Sequence, residues 1–302
     1  MLLGLALVCV AAVSWGTTGS VMALLARDGT PSPLLVGWAR MAGAAPCLLL
    51  AVFLTRPGSP RAARLTVGGW PPLDWAKTAL LGVAMAAYQL CYFWAVPRTG
   101  VALTALLAIC SAPILITAGA ALTLKERPGR STLAALLLAV GGTAIILGGP
   151  RAAGGASRDF AAGAVAAIGA GLSYAVYAVT AKGLLRRAAP LPLAAVTFTL
   201  AALLLAPVLA LERDAAAQLA AGWPLLLYLG VVPTAAAYVI FGAGLRRVTA
   251  TTAGIATLLE PLTAATLGVL VFGERLGAMG WAGTTLLLAA LALLARSGSA
   301  RH

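Results

Sequence analysis

The sequence predicts an all-α membrane protein of about ten transmembrane helices, arranged as two inverted repeats of five helices each. The first reason is composition: hydrophobic residues occupy 61% of the 302 positions and charged residues only 10%. An ordinary soluble domain carries about 25% charged residues. A soluble chain of this length has too little interior to bury so much apolar surface, so that surface must face lipid. The second reason is an internal repeat, described below.

Apolar runs of about 20 residues, the length of helix that crosses a bilayer core of about 30 Å, place the individual helices. The predicted spans are 2–25, 33–54, 75–96, 99–123, 131–149, 160–182, 191–211, 223–244, 249–272 and 278–295. The first span has neither a basic segment before it nor an A-x-A-like exit, so we interpret it as a retained helix and not a signal peptide. The glycine-rich stretch 150–159 is predicted to link a first unit, 1–149, to a second, 160–302, that ends in a short tail.

The net charge of +13 would suggest nucleic-acid binding in a soluble protein. Here the basic residues lie in short segments between apolar runs, without interleaved aromatic residues, so we predict no nucleic-acid partner. With the N-terminus inside, about 14 Lys and Arg residues fall on the cytoplasmic side and about six on the other. This bias predicts an inner (plasma) membrane protein with both termini cytoplasmic. The expected partners are the lipid bilayer and a small-molecule substrate, and we expect a monomer or a weak homodimer.

The sequence lacks the residues that several classes of chemistry require. The cysteines Cys9, Cys47, Cys91 and Cys110 lie in apolar runs without metal-ligand spacing, and the single histidine is His302. A histidine triad, a histidine metal site and a histidine proton relay are therefore excluded. No G-x-x-x-x-G-K-[ST] loop is present, which argues against ATP-driven transport, and no nucleophile–base set suggests an enzyme. We predict no cofactor and no metal.

A shift of 148 positions aligns Leu81–Ala144 with Leu229–Ala292 without a gap. Alanine-rich helices match by chance, so the polar and proline matches carry more weight. These are Arg98 with Arg246, Pro113 with Pro261, and Glu126-Arg127 with Glu274-Arg275. An odd number of spans in each copy inverts the second copy in the membrane, an arrangement typical of secondary transporters with a substrate site near the midplane. A duplicated membrane scaffold without transport activity is the alternative.

The repeated motifs resemble a known family. Pro113 followed by Leu-Thr-Leu-Lys-Glu-Arg, and Glu260-Pro261 followed by Val-Phe-Gly-Glu-Arg, resemble the EamA-type family of the drug/metabolite transporter superfamily. Ser14-Trp15-Gly16 and Arg40 add to this likeness, which covers essentially the whole chain. Within the family the chain is similar to the YddG-like amino-acid exporters. The first copy departs from the second in having Ala112 where the second has Glu260, so the acidic residue is not symmetric.

The resemblance implies a central cavity lined mainly by the first, third, fourth, sixth, eighth and ninth spans. It implies export of small organic metabolites, most of all amino acids, aromatic ones included, by alternating access around that cavity. A nucleotide-sugar, a purine or a cationic drug is the alternative substrate within the same class.

Glu260 is the acidic residue that the spans place deepest in the membrane. A charged side chain at that depth costs at least about 2.5 kcal/mol, which makes it a functional candidate. It could contact a substrate amine or exchange a proton during transport. Alternatively, it could bond permanently to hydroxyls or a tryptophan N–H, or pair with Arg40. For Arg40 we predict a structural brace, because the second span is not expected to line the cavity.

Aromatic and polar residues near the middle of their spans complete the predicted site, because a buried tyrosine hydroxyl or glutamine amide needs a partner. The predicted substrate-binding residues are Trp15, Tyr88, Gln89, Tyr92, Ser111, Tyr174, Tyr177, Tyr238 and Glu260. Prolines free backbone carbonyls one turn earlier, so Pro113 and Pro261 are predicted kinks or hinges. The charged residues at two helix ends, Glu126, Arg127, Glu274 and Arg275, are predicted to form gate-closing or structural ion pairs.

Overall fold

The computed structural model describes residues 1–27, 32–55, 72–147, 158–273 and 277–299, and this part of the chain is almost entirely helical. Nine helices among these residues are long and apolar enough to cross a membrane. A shorter apolar helix, Arg130–Ile145, supplies a tenth. The predicted fold class, an all-α membrane protein of ten spans, is confirmed. Most of the predicted linker and the last three residues of the tail lie outside the described residues.

The helix bounds follow the predicted spans, with three of them interrupted. The first half contains α1 Leu2–Arg27, α2 Pro33–Leu54, α3 Pro72–Thr99, α4 Val101–Thr123 and α5 Arg130–Leu147. The second half contains α6 Arg158–Leu184, α7 Pro190–Leu205, α8 Val208–Leu211, α9 Ala215–Gly230, α10 Ala237–Leu245, α11 Ala250–Ala256, α12 Leu259–Phe272 and α13 Ala278–Ser299. The seventh span is therefore α7 with α8, the eighth α9 with α10, and the ninth α11 with α12.

A proline explains the interruption of the eighth span. Between α9 and α10 the chain forms a π-helical turn, Val231–Ala236, that contains Pro233. Proline has no N–H to donate, and its ring displaces the carbonyl four residues earlier, which here belongs to Leu229. That carbonyl instead accepts a hydrogen bond from the Thr234 hydroxyl at 2.7 Å. The interruption thus leaves this backbone group satisfied within the bundle, as a membrane interior requires.

The two aligned prolines behave differently. Pro261 lies in the first turn of α12, and the carbonyl that it frees, on Thr257, accepts from the Glu260 N–H at 3.0 Å. The ninth span breaks at this point, between α11 and α12. Pro113 lies inside α4, which continues unbroken past it. The two repeats therefore differ in backbone conformation at the aligned prolines, and Pro261 is the one next to Glu260.

Helices of the two halves pack in reciprocal pairs. The first helix of the first half, α1, packs against α10 and α12, while the first helix of the second half, α6, packs against α3 and α4. In the same way α2 pairs with α7, and α5 pairs with α13. Each half thus inserts its first helix into the other half, as two inverted copies related by an approximate twofold axis would do.

One end of the bundle, here named the N-terminal face, is formed by the starts of α1 and α11 and the ends of α4, α6 and α10. Glycines bring α1 and α10 together here: a Cβ on Gly4 would lie 2.5 Å from the Arg247 Cβ, and one on Gly244 would lie 2.7 Å from the Gly4 carbonyl oxygen. The half of the bundle nearer this face is solidly packed. Its core includes Val8, Ile116, Ala178, Phe241, Leu245 and Ala253, each at most 1% exposed.

The contact between α5 and α13 allows the packing of the two halves to be tested. A Cβ on Gly142 would lie 2.7 Å from the Gly283 carbonyl oxygen and 3.0 Å from the Leu287 nitrogen, both backbone atoms of α13. We expect Gly142→Ala to separate the helices and to destabilise the protein by about 1–3 kcal/mol. Gly141→Ala is the matched control, because nothing lies within 4 Å of its Cβ position. Thermal unfolding in detergent micelles measures both, and equal melting temperatures would contradict the packing described.

Candidate functional site

A cavity of about 250 Å³ lies inside the bundle, in the half away from the N-terminal face. Its walls come from α1, α2, α3, α4, α6 and α10 and from the α11–α12 break. The cavity borders seven of the predicted substrate-binding residues: Trp15, Tyr88, Gln89, Tyr92, Tyr174, Tyr238 and Glu260. It also borders Arg40, Phe93, Thr257 and Pro261, which were not assigned to substrate binding from the sequence.

Two predicted residues, Ser111 and Tyr177, do not border the cavity. The Ser111 hydroxyl donates to the Ala108 carbonyl at 3.2 Å, and its side chain faces α6. Tyr177 is 5% exposed and lies one turn nearer the N-terminal face than Tyr174. Its ring packs against Tyr174 and Tyr238, with centroid distances of 6.1 and 5.6 Å. Tyr177 therefore supports the cavity wall from behind.

Glu260 lies near the middle of its span, Ala250–Val271. At the helical rise per residue it is about 15 Å from the start of the span, half the thickness of a bilayer core. The break between α11 and α12 brings Glu260 into the first turn of α12. Together with Thr257 and Pro261, it forms one wall of the cavity. The carboxylate can therefore meet a solute, which reduces the cost of placing a charge at this depth.

Arg40 brings a positive charge to the same cavity, where the sequence suggested only a brace. It lies on α2, is 8% exposed, and its buried Nε has no hydrogen-bond partner among the residues that the structure describes. A buried guanidinium nitrogen without a partner is costly, and the planar group as a whole is suited to bind a carboxylate. The cost of a charge within a span, the argument that singled out Glu260, also identifies Arg40. One basic and one acidic side chain therefore line the cavity.

Aromatic rings form much of the remaining wall. Trp15 lies 4.8 Å from Tyr238 and 6.2 Å from Tyr174, measured between ring centroids. Tyr88 stacks on Tyr92 at 5.8 Å and lies 6.1 Å from Tyr174. These rings join α1, α3, α6 and α10 in one cluster, so the wall is assembled from both halves of the chain. Its π-faces can accept a cation or an apolar side chain.

Several polar atoms of cavity-lining residues are buried without a hydrogen-bond partner in the described part of the chain. They are Trp15 Nε1, Thr18 Oγ1, Arg40 Nε, Gln89 Oε1 and Tyr174 Oη. Most buried polar atoms in proteins have hydrogen-bond partners. These unpaired donors and acceptors belong to residues that line one cavity. They lie on α1, α2, α3 and α6, so polar side chains surround the cavity from several helices.

Of the remaining predicted residues that the structure describes, Pro261 borders the cavity, whereas Pro113, Glu126 and Arg127 do not. Pro113 is buried in α4. Glu126 accepts hydrogen bonds from the backbone at the start of α11, and Arg127 is exposed. Glu274 and Arg275 lie outside the described residues. Among the described ranges, no group of three or more His, Cys, Asp or Glu residues could hold a metal ion.

Known proteins resemble this chain over most of its length. A protein of Bacillus subtilis named as the uncharacterized transporter YwfM is 36% identical over 294 residues, covering 95% of this chain and 92% of that protein. An uncharacterized transporter of Archaeoglobus fulgidus is 31% identical over 212 residues, covering 70% and 73% of the two chains. A solved crystal structure superposes with a TM-score of 0.79 over 96% of this chain and 95% of its own; at 19% identity it shows the fold alone.

The family match has two parts, as the internal repeat would suggest. The EamA-like transporter family matches residues 2–148 and again residues 161–296, which together are nearly the whole chain. With the relatives above, this match makes the protein a multi-pass membrane transporter of small molecules. The chain belongs to the EamA-like transporter family.

Proposed function

We propose that this protein exports amino acids across the plasma membrane by alternating access, and that its cavity binds the zwitterionic amino-acid backbone. The observation that carries the proposal is the presence of Arg40 and Glu260 in one small cavity. An amino acid presents a carboxylate and an ammonium group, one for each of these charges. Arg40 would bind the carboxylate through its guanidinium, and Glu260 would accept from the ammonium group.

The rest of the cavity suits the remainder of such a substrate. Trp15, Tyr88, Tyr92 and Tyr174 offer π-faces that favour an ammonium group or an apolar or aromatic side chain. The volume of about 250 Å³ lies just below the range of about 300–1,000 Å³ that is typical of drug-sized ligands. A solute of amino-acid size fits this volume better than a nucleotide-sugar does.

The competing substrates meet a specific obstacle. A cationic drug would be attracted by Glu260 and the aromatic wall but repelled by Arg40 in the same cavity. A purine lacks the carboxylate that Arg40 is suited to bind. A scaffold without transport activity would have no use for two charges and several unpaired polar atoms around a cavity, because each costs folding free energy.

The first prediction concerns the two charges of the substrate. We expect purified protein in liposomes to show saturable phenylalanine flux. Phenylalaninamide, which lacks the carboxylate, and 3-phenylpropionate, which lacks the ammonium group, should compete at least tenfold more weakly. The competition assay is repeated with the best substrate from a panel of amino acids. Equal competition by either analogue, or no saturable flux of any amino acid, would overturn the proposal.

The second prediction assigns each charge to its partner. Arg40→Gln should abolish the preference for phenylalanine over phenylalaninamide, and Glu260→Gln should abolish the preference over 3-phenylpropionate. Inhibition constants in the same flux assay measure both. The controls are Glu212→Gln and Arg213→Gln, which remove charges near the start of α9 and should leave both preferences intact. If Glu260→Gln keeps its preference but loses the pH dependence of flux, Glu260 exchanges a proton and does not bind the ammonium group.

The third prediction concerns a single hydrogen-bond donor. Trp15 Nε1 is buried without a partner, whereas the Trp223 side chain is 62% exposed on the lipid-facing surface. Trp15→Phe keeps an aromatic ring but removes the donor, so we expect the half-saturation concentration to rise about three- to tenfold. Trp223→Phe should leave it unchanged. Concentration-dependent flux distinguishes the two, and identical curves would remove Trp15 from the binding surface.

A further inference from the structure

The turn between α10 and α11, residues 246–249, lies at the N-terminal face and is held by two charged side chains from other helices. It connects the helix that carries Tyr238 to the span that carries Glu260, so both of its arms reach the cavity. Buried core residues, including Phe241 and Leu245, lie between the cavity and this turn. The turn is therefore part of what closes the N-terminal face.

Glu126, just beyond the end of α4, accepts hydrogen bonds from the start of α11, immediately after this turn. Its Oε1 accepts from the Ala250 N–H at 2.8 Å. Its Oε2 accepts from the Thr251 N–H at 3.2 Å and from the Thr251 hydroxyl at 3.0 Å. Ala250 and Thr251 are at most 1% exposed, so the donors of these hydrogen bonds are buried, while the Glu126 side chain is half-buried. Hydrogen bonds to a carboxylate are stronger than neutral ones.

The backbone before Glu126 directs its carboxylate toward the turn. Lys125 has φ of 56°, a left-handed conformation that is uncommon outside glycine. This residue ends α4 and reverses the chain, and the Glu126 N–H then donates to the Ala120 carbonyl at 3.1 Å. Glu126 is thus fixed to the end of α4 through its own backbone.

Lys182, near the end of α6, donates hydrogen bonds to the last residue of α10 and to the turn itself. Its Nζ donates to the Leu245 carbonyl at 2.7 Å and to the Val248 carbonyl at 2.5 Å. Leu245 is the last residue of α10, where the helix dipole favours a cation, and Val248 lies in the turn that follows. The helices α4 and α6 pack against each other. Glu126 and Lys182 therefore come from one pair of helices and bond the two ends of the same turn.

We propose that Glu126 and Lys182 form a polar latch that holds the α10–α11 turn against α4 and α6 and must release it before the N-terminal face can open. The inference rests on the proposed transport function, since alternating access requires each face to open in turn. With the termini cytoplasmic, the latch is the cytoplasmic gate, and its release admits the substrate. Four of the five hydrogen bonds of the latch go to backbone atoms at the turn and its two ends, and the fifth comes from the Thr251 hydroxyl.

Thiol labelling of the full chain in detergent micelles tests the latch. Cys9, Cys47, Cys91 and Cys110 are first replaced by alanine, and one reporter cysteine is introduced at a time. Ala178→Cys reports on the closed side: Ala178 is 1% exposed and lies one turn beyond the cavity residue Tyr174. Val96→Cys reports on the cavity side, because Val96 lines the cavity on α3. The rate of reaction with a charged thiol reagent is measured at each.

Glu126→Gln and Lys182→Met should each raise the labelling rate of Ala178→Cys about tenfold and lower that of Val96→Cys, because opening one face closes the other. Lys182→Arg, which keeps the donors, should restore rates near those of the unmodified latch. Arg187→Gln is the matched control: it removes an exposed cation from the same helix end and should change neither rate.

A rise at Ala178→Cys without a fall at Val96→Cys would indicate local unfolding and overturn the proposal, as would unchanged rates at either reporter. The two latch variants give independent results if one of them fails to fold. No substrate is added, so a negative result here leaves the amino-acid proposal standing. Conversely, a failed flux assay leaves the labelling result intact.

Discussion

Two charges inside an apolar bundle, Arg40 and Glu260, set the main constraint on this structure. A bilayer offers no water to an ionised group, so each must meet a partner, a cavity or both. The cavity satisfies this requirement by opening the bundle on one side of the midplane, while the other side packs around Phe241, Leu245 and Ala253. The unpaired polar atoms around the cavity belong to the same arrangement, because the residues that carry them line it.

The repeat supplies a scaffold that is close to symmetric, and the site departs from that symmetry. The residue aligned with Glu260 is Ala112, and the pair aligned with Tyr88-Gln89 is alanine at 236–237. Pro261 breaks its span beside Glu260, whereas the aligned Pro113 leaves α4 continuous. The proposed alternating access would use the two similar arrangements that reciprocal packing of the halves provides, while one copy of each functional group suffices to bind one solute.

The cavity and the proposed latch meet through the α10–α11 turn. Tyr238 precedes the turn and Glu260 follows it, so a movement of the turn displaces two cavity residues on different helices. Gly4 and Gly244 bring the backbones of α1 and α10 into close contact at the N-terminal face. Such tight packing does not deform gradually, so this contact is either formed or broken. In the proposed latch, closure of the N-terminal face is therefore coupled to the shape of the site by direct packing.

Composition and helix length were enough to predict ten spans, since the need to bury backbone hydrogen bonds in lipid leaves few alternatives. They also identified Glu260 and the aromatic residues of α1, α3, α6 and α10, because polar groups within a span must face inward. Helical periodicity shows which residues share a face but not which helix that face meets. The cavity position of Arg40, the supporting position of Tyr177 behind the wall, and the bonds of Glu126 to a backbone segment 124 residues away therefore depended on how the two halves pack.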